Sequence, residues 1–180
     1  MAQKKPRQKP LKLKDIQKTY EKMNTYKTHI LNEEDNTVIK YYEIFDNKKI
    51  EELLKQLFNS IQFDNEHKIN FFNEDEKLVQ YIMFLILKNF TNLDKEIPEE
   101  LDAQIPIFNQ IISVGLFEEM FNNVFPPEQV SLVLERVGNF ANLANQAALI
   151  QLETRQNISK SVQSPVIKKK LEEGLFDAKV

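Results

Sequence analysis

Apolar positions recur at three- and four-residue spacing through most of this chain. Ile50, Leu53, Leu54, Leu57, Phe58 and Ile61 share one face, and Glu51, Glu52, Lys55 and Gln56 take the other. That periodicity predicts an amphipathic helix, with Asp46 placed to accept from its first free N–H groups. The next apolar stretch, "YIMFLILKNF" at residues 81–90, is apolar around most of a helical circumference. A helix of that kind is buried on several sides. Its uninterrupted apolar run, Tyr81 to Leu87, has seven residues against the roughly 20 that cross a bilayer. The stretch therefore predicts the central core helix of a soluble domain, from about residue 74 to 91, and no membrane segment.

Flanking segments carry weaker periodicities. Leu13, Ile16, Tyr20 and Met23 fall on one face of a short helix at 13–23. Two β-rich runs, Tyr26–Leu31 and Thr37–Ile44, flank the polar "NEEDN", which predicts a hairpin near residues 26–45. Pro98 suits the first turn of a helix that Pro106 kinks or splits, and Gly115 ends a helix before Leu116 begins the next. After "PPEQV", Val130, Val133, Val137, Phe140, Ala144 and Ala147 keep a 3-4 seam, predicting a helix of about 30 residues whose far half either projects from the body or packs on its own domain. Ser159–Ser164 reads as a linker, and "SPVIKKKLEEGLFDAKV" as a short terminal helix. The echo of "GLFEE" in "GLFDA" is too short to make a repeat.

These elements give a mainly α chain: a compact helical bundle with a small N-terminal β-hairpin, an extended basic N-terminal arm and a C-terminal helical tail. The expected divisions are a disordered basic arm at 1–12, a helical domain at 13–157, and a linker with short helix at 158–180. With 180 residues the chain is long enough to bury a real core.

Composition removes several chemistries. There is no Cys, so thiol catalysis, thiolate metal sites and disulfides are excluded. The three glycines, Gly115, Gly138 and Gly174, are too scattered for a phosphate-cradling loop. His29 and His67 lack a second ligand at helical spacing and read as ordinary surface or edge histidines. Glu33, Glu34 and Asp35 are consecutive, whereas a calcium loop needs oxygen ligands at alternate positions. No metal, no cofactor and no catalytic residue is expected, and the chain does not read as an enzyme; the rival is a dispersed site built on a histidine and an acid.

Charge is unevenly placed. Lys4, Lys5, Arg7, Lys9, Lys12 and Lys14 stand in residues 1–14 without an acid. Removing those six from the 24 cations leaves 18 against 27 acids in the remainder. A basic tip on an acidic body is a hint of polyanion binding, although a solvated tail is the favoured reading. Phenylalanine clusters at 117, 121 and 125. Core packing is the favoured reading of that cluster; the alternative is a partner surface for an amphipathic helix, for which Leu116, Phe117, Phe121, Phe125, Val130, Val137 and Phe140 are the candidates.

The order "VIKYYEIF", "KKIEELLKQL", "YIMFLILKNFTNLDKEIP", "GLFEEMFNNVFPPEQV" resembles, over about residues 26–135, the tail assembly chaperones encoded in tail modules of phages and prophages of low-G+C Gram-positive bacteria. The resemblance implies a non-enzymatic helper in the bacterial host cytoplasm that covers the apolar, helical tape measure protein while the tail grows. Homo-oligomerisation is compatible with it. The alternative is a virion component or regulator whose basic arm touches nucleic acid or another assembly subunit; nucleic acid is not favoured.

Overall fold

The computed structural model describes residues 10–143. The chain divides into two units, residues 1–134 and 135–180. The first is mainly α with a two-stranded antiparallel hairpin: α1 (Leu13–Met23), β1 (Tyr26–Asn32), β2 (Thr37–Tyr42), α2 (Asn47–His67), α3 (Asp75–Asn89), a 3-10 turn (Asn92–Lys95), α4 (Leu101–Ser113) and α5 (Leu116–Glu119). A π-helical turn, Met120–Val124, continues α5, and a further helix, α6, runs over 127–143. The arm cations Lys4, Lys5, Arg7 and Lys9, the far half of the long helix, the linker and the terminal helix lie outside the described residues. So does the boundary expected at 157.

The core is built on α3. Tyr81, Ile82, Phe84 to Asn89 and the capping residue Phe90 are all buried. Burying each large apolar side chain contributes about 1.5–3 kcal/mol, so this helix carries much of the unit's hydrophobic stabilisation. Around it pack Ile39 from β2, Ile50, Leu53 and Leu57 from α2, and Leu101, Phe108 and Ile111 from α4. Phe45, between β2 and α2, stacks on Phe90 with centroids 3.8 Å apart.

Local chemistry sets most boundaries. The Asp46 carboxylate accepts from Lys48 N–H at 2.9 Å and starts α2. Lys68 ends α2 in the left-handed conformation. Gly115, at φ 72°, separates α4 from α5, a conformation that glycine adopts without penalty. Pro127 occupies the first position of α6, where a missing N–H costs nothing.

Pro98 behaves differently from expectation, and Pro106 leaves its helix undivided. Pro98 precedes α4 instead of opening it; α4 begins at Leu101 with Glu100 as its capping residue. Pro98 is held there because its carbonyl accepts from both Lys88 Nζ (3.2 Å) and Gln104 Nε2 (2.6 Å). Pro106 sits inside α4 without splitting it. It forfeits a bond to the carbonyl of Asp102, an exposed first-turn residue that water can satisfy.

The hairpin pairs Tyr26 with Tyr42, Thr28 with Lys40 and Ile30 with Val38, with a bulge between Ile30 and Asn32. Side chains alternate across a strand, so these pairs share one face and His29, Ile39 and Tyr41 share the other. The second face meets the core, since Ile39 is buried. The outer edge of β2 is closed: Tyr42 N–H donates to Phe90 O at 3.0 Å, and Lys40 N–H to Asn92 Oδ1 at 2.8 Å.

Candidate functional site

The segment singled out for partner binding divides between core and surface. Phe117, Phe125 and Met120 are buried, and Val133 of α6 is buried with them. Leu116, Phe121, Val124 and Val130 are half-buried. Val137 is half-buried and Phe140 exposed; both lie beyond Leu134, in the second unit. Phe117 and Phe125 therefore hold the segment together from beneath, while Leu116, Phe121 and Val130 supply its accessible apolar face.

The rings explain the rigidity of that face. Phe84, Phe108 and Phe117 make successive edge contacts, with centroids 5.7 and 6.1 Å apart. Phe121 stands next, 6.1 Å from Phe117 and 5.3 Å from Phe125. Phe125 returns to the core against Phe45 at 5.5 Å. The half-buried Phe121 is thus braced by two buried rings. The π turn is what aims it: Phe125 N–H reaches back five residues to Met120 O at 2.8 Å, which rotates the intervening side chains away from an α-helical track.

Two polar clusters accompany that segment, and neither was visible in sequence. The first is buried between α2, α3 and α4. Gln104 Nε2 donates to Pro98 O, leaving its Oε1 to accept from the Tyr81 hydroxyl, to which Ser60 Oγ in turn donates at 2.7 Å. Burial raises the Tyr81 hydroxyl to about 12, so it stays a donor. Lys88 is fully buried and ends in the same place, its Nζ on Pro98 O and on Glu99 Oε1 at 2.8 Å. A hollow of about 180 Å³ lined by Asn59, Ser60, Phe63, Glu99, Glu100 and Leu101 lies at this corner. The buried side-chain donors and acceptors here all find partners within the protein, which is the signature of a structural network.

The second cluster joins β1 to α5. Glu119 accepts from His29 Nε2 at 2.6 Å and from Asn123 Nδ2 at 2.8 Å. Those bonds, Asn123 first and His29 second, hold the Glu119 carboxyl below its usual range. His29 thus has an acid partner. His67 caps α2 through its own Phe63 carbonyl and stacks on the Phe63 ring. Among the described residues no group of three His, Asp or Glu side chains converges as a metal site would require. No described helix is long and apolar enough to cross a membrane.

Of the basic-arm residues, Lys12 and Lys14 are described: both are exposed, at the start of α1. That helix buries none of its eleven residues.

A family model described as YomO matches residues 13–172. The chain belongs to the YomO family. YomO is a phage- and prophage-associated family, so the chain is a phage-related protein. The YomO match takes in α1 as well as the hairpin and helices, and leaves residues 1–12 outside. No curated protein and no solved structure matches the chain.

Proposed function

We propose that this YomO-family protein is a non-enzymatic phage assembly protein that binds an α-helical partner of the tape-measure kind, as a tail assembly chaperone or adaptor in the host cytoplasm. The observation that carries the reading is Phe121, a half-buried ring braced by Phe117 and Phe125 on a π turn, in a segment where Leu116 and Val130 are half-buried as well. A rigid aromatic knob flanked by aliphatic side chains suits the apolar stripe of an amphipathic helix, and such anchors dominate binding energy. Covering that stripe reversibly keeps a long helical protein from aggregating before assembly.

The test is co-purification with a tape-measure fragment. Leu116→Asp with Phe121→Asp leaves the buried Phe117 and Phe125 in place, so the variant is expected to unfold as cooperatively as the parent while binding falls at least tenfold. A folded variant that still binds would remove this surface.

A second reading rests on Lys12 and Lys14, which continue the cationic stretch onto an exposed helix. A virion or regulatory role through a polyanion predicts binding to DNA that falls steeply with salt and disappears when the six cations of residues 1–14 become glutamine.

A further inference from the structure

Helix α1 presents a physical problem. An eleven-residue helix is marginal in water unless an amphipathic face is packed. Yet Leu13, Ile16 and Tyr20 are 71%, 51% and 60% exposed, and a hollow of about 320 Å³ runs along Leu11, Asp15, Ile16, Thr19, Tyr20 and Met23. The hairpin that follows packs its Ile39 face on the helices but leaves the opposite face uncovered. Tyr26, Ile30 and Val38 lie exposed on that outward face. Among the described residues β2 is closed on its outer edge by Phe90 and Asn92, whereas β1 has β2 as its sole neighbour. An open edge of seven residues is a template for another strand.

Charge decides which strand fits. The helix on the N-terminal side of β1 is basic on its exposed positions, with Lys12, Lys14, Lys18 and Lys22 against Asp15 and Glu21. The turn on the C-terminal side of β1 is acidic and exposed: Glu33, Glu34 and Asp35. Antiparallel pairing of β1 with β1 of a second copy sets Tyr26 beside the other Asn32. It therefore brings each basic α1 to the other copy's acidic turn, twice about a two-fold axis. Parallel pairing would oppose like charges at both ends.

We infer that β1 and α1 form a self-association surface, with a second copy of this chain as occupant, paired antiparallel through β1 so that each α1 lies against the other copy's hairpin. The result is a four-stranded sheet, β2-β1-β1-β2, whose apolar outward face has two amphipathic helices available to cover it. The interface is isologous, as a two-fold dimer requires. It uses none of the residues proposed for binding the helical partner.

The experiment is sedimentation equilibrium of the full chain and of two charge reversals at exposed positions. Lys18→Glu with Lys22→Glu gives a chain acidic at both ends of β1, and Glu33→Lys with Glu34→Lys gives one basic at both. The parent is expected to be a dimer that weakens as salt rises. Each reversed chain alone, checked for retained helicity and cooperative unfolding, is expected to lose at least tenfold in dimer affinity. Mixed one to one, the two are expected to associate again, because both contacts then join opposite charges. A monomeric parent overturns the inference. Dimers that persist in both reversed chains, or two reversed monomers that fail to associate on mixing, overturn it as well. Loss of the dimer with retained binding of a tape-measure fragment would separate this interface from the partner surface.

Discussion

Lys88 is the residue whose environment departs most from its type, since lysine is almost never fully buried unless paired. Its ammonium has Pro98 O and the Glu99 carboxylate as partners, and Glu99 itself is 64% exposed. Removing a charge from water is expensive, and the pair recovers that cost only through geometry. The two partners are therefore unequal under mutation. Lys88→Met removes the ion together with its desolvation cost and fills the same space, and Gln104 still donates to Pro98 O. That variant is expected to stay within about 1 kcal/mol of the parent or to gain stability. Glu99→Gln leaves the ammonium buried with a neutral acceptor and is expected to lose about 1–3 kcal/mol, below the full cost of breaking a buried pair because Glu99 is open to water. Urea unfolding of the two variants at neutral pH measures the contrast. A Lys88→Met loss larger than the Glu99→Gln loss would show that the stem's packing, not its charge, is what the core requires.

At the scale of elements, Gly115 separates α4 from α5 at φ 72°, and a Cβ added there would meet nothing closer than Glu118 Oε2 at 3.8 Å. Space is free, so the cost of Gly115→Ala is conformational: about 1–2 kcal/mol for a left-handed alanine. Chemical unfolding at constant m-value is the measurement, and an unchanged midpoint would mean the junction adopts another conformation. This junction was legible because glycine between two apolar-periodic runs has few readings. The α2 cap at Asp46, the buried α3 and the hairpin were legible for the same reason, each carrying a local signal of period or turn chemistry. The π turn was not. One extra residue in a helical turn leaves no mark on composition, yet it shifts which of Phe117, Phe121 and Phe125 faces water. Sequence could name the cluster but could not divide it, so two buried rings were read beside one accessible one. Pro98 was misplaced because the residues that hold it, Lys88 and Gln104, belong to other elements.

At the scale of the first unit, contacts between distant residues fix the hairpin to the helices, and pairings of this range leave no trace in a single sequence. Phe45 N–H donates to Gln129 Oε1 at 2.8 Å across 84 positions, and His29 Nε2 donates to Glu119 across 90. The second link ties the middle of β1, the strand whose outer edge is open, to the turn that presents Phe121. Its acid member makes it sensitive to pH. Glu119 titrates below its ordinary 4.5 because Asn123 and His29 favour the carboxylate. A depressed folded-state value means that the folded protein binds fewer protons than the unfolded chain near pH 4.5. The stabilisation is therefore fully present above that pH, and it is lost as pH falls through the lower folded value. Glu119→Gln has no charge to lose. Urea midpoints at pH 5.5 and pH 3.5 are expected to fall further in the parent than in this variant, with the two converging at the acid end. Equal falls would mean that the pair adds nothing to the anchoring of the hairpin. Convergence would identify acid as a condition that loosens β1, which carries the edge proposed for self-association, from α5, which runs into the turn that holds the ring proposed for partner binding.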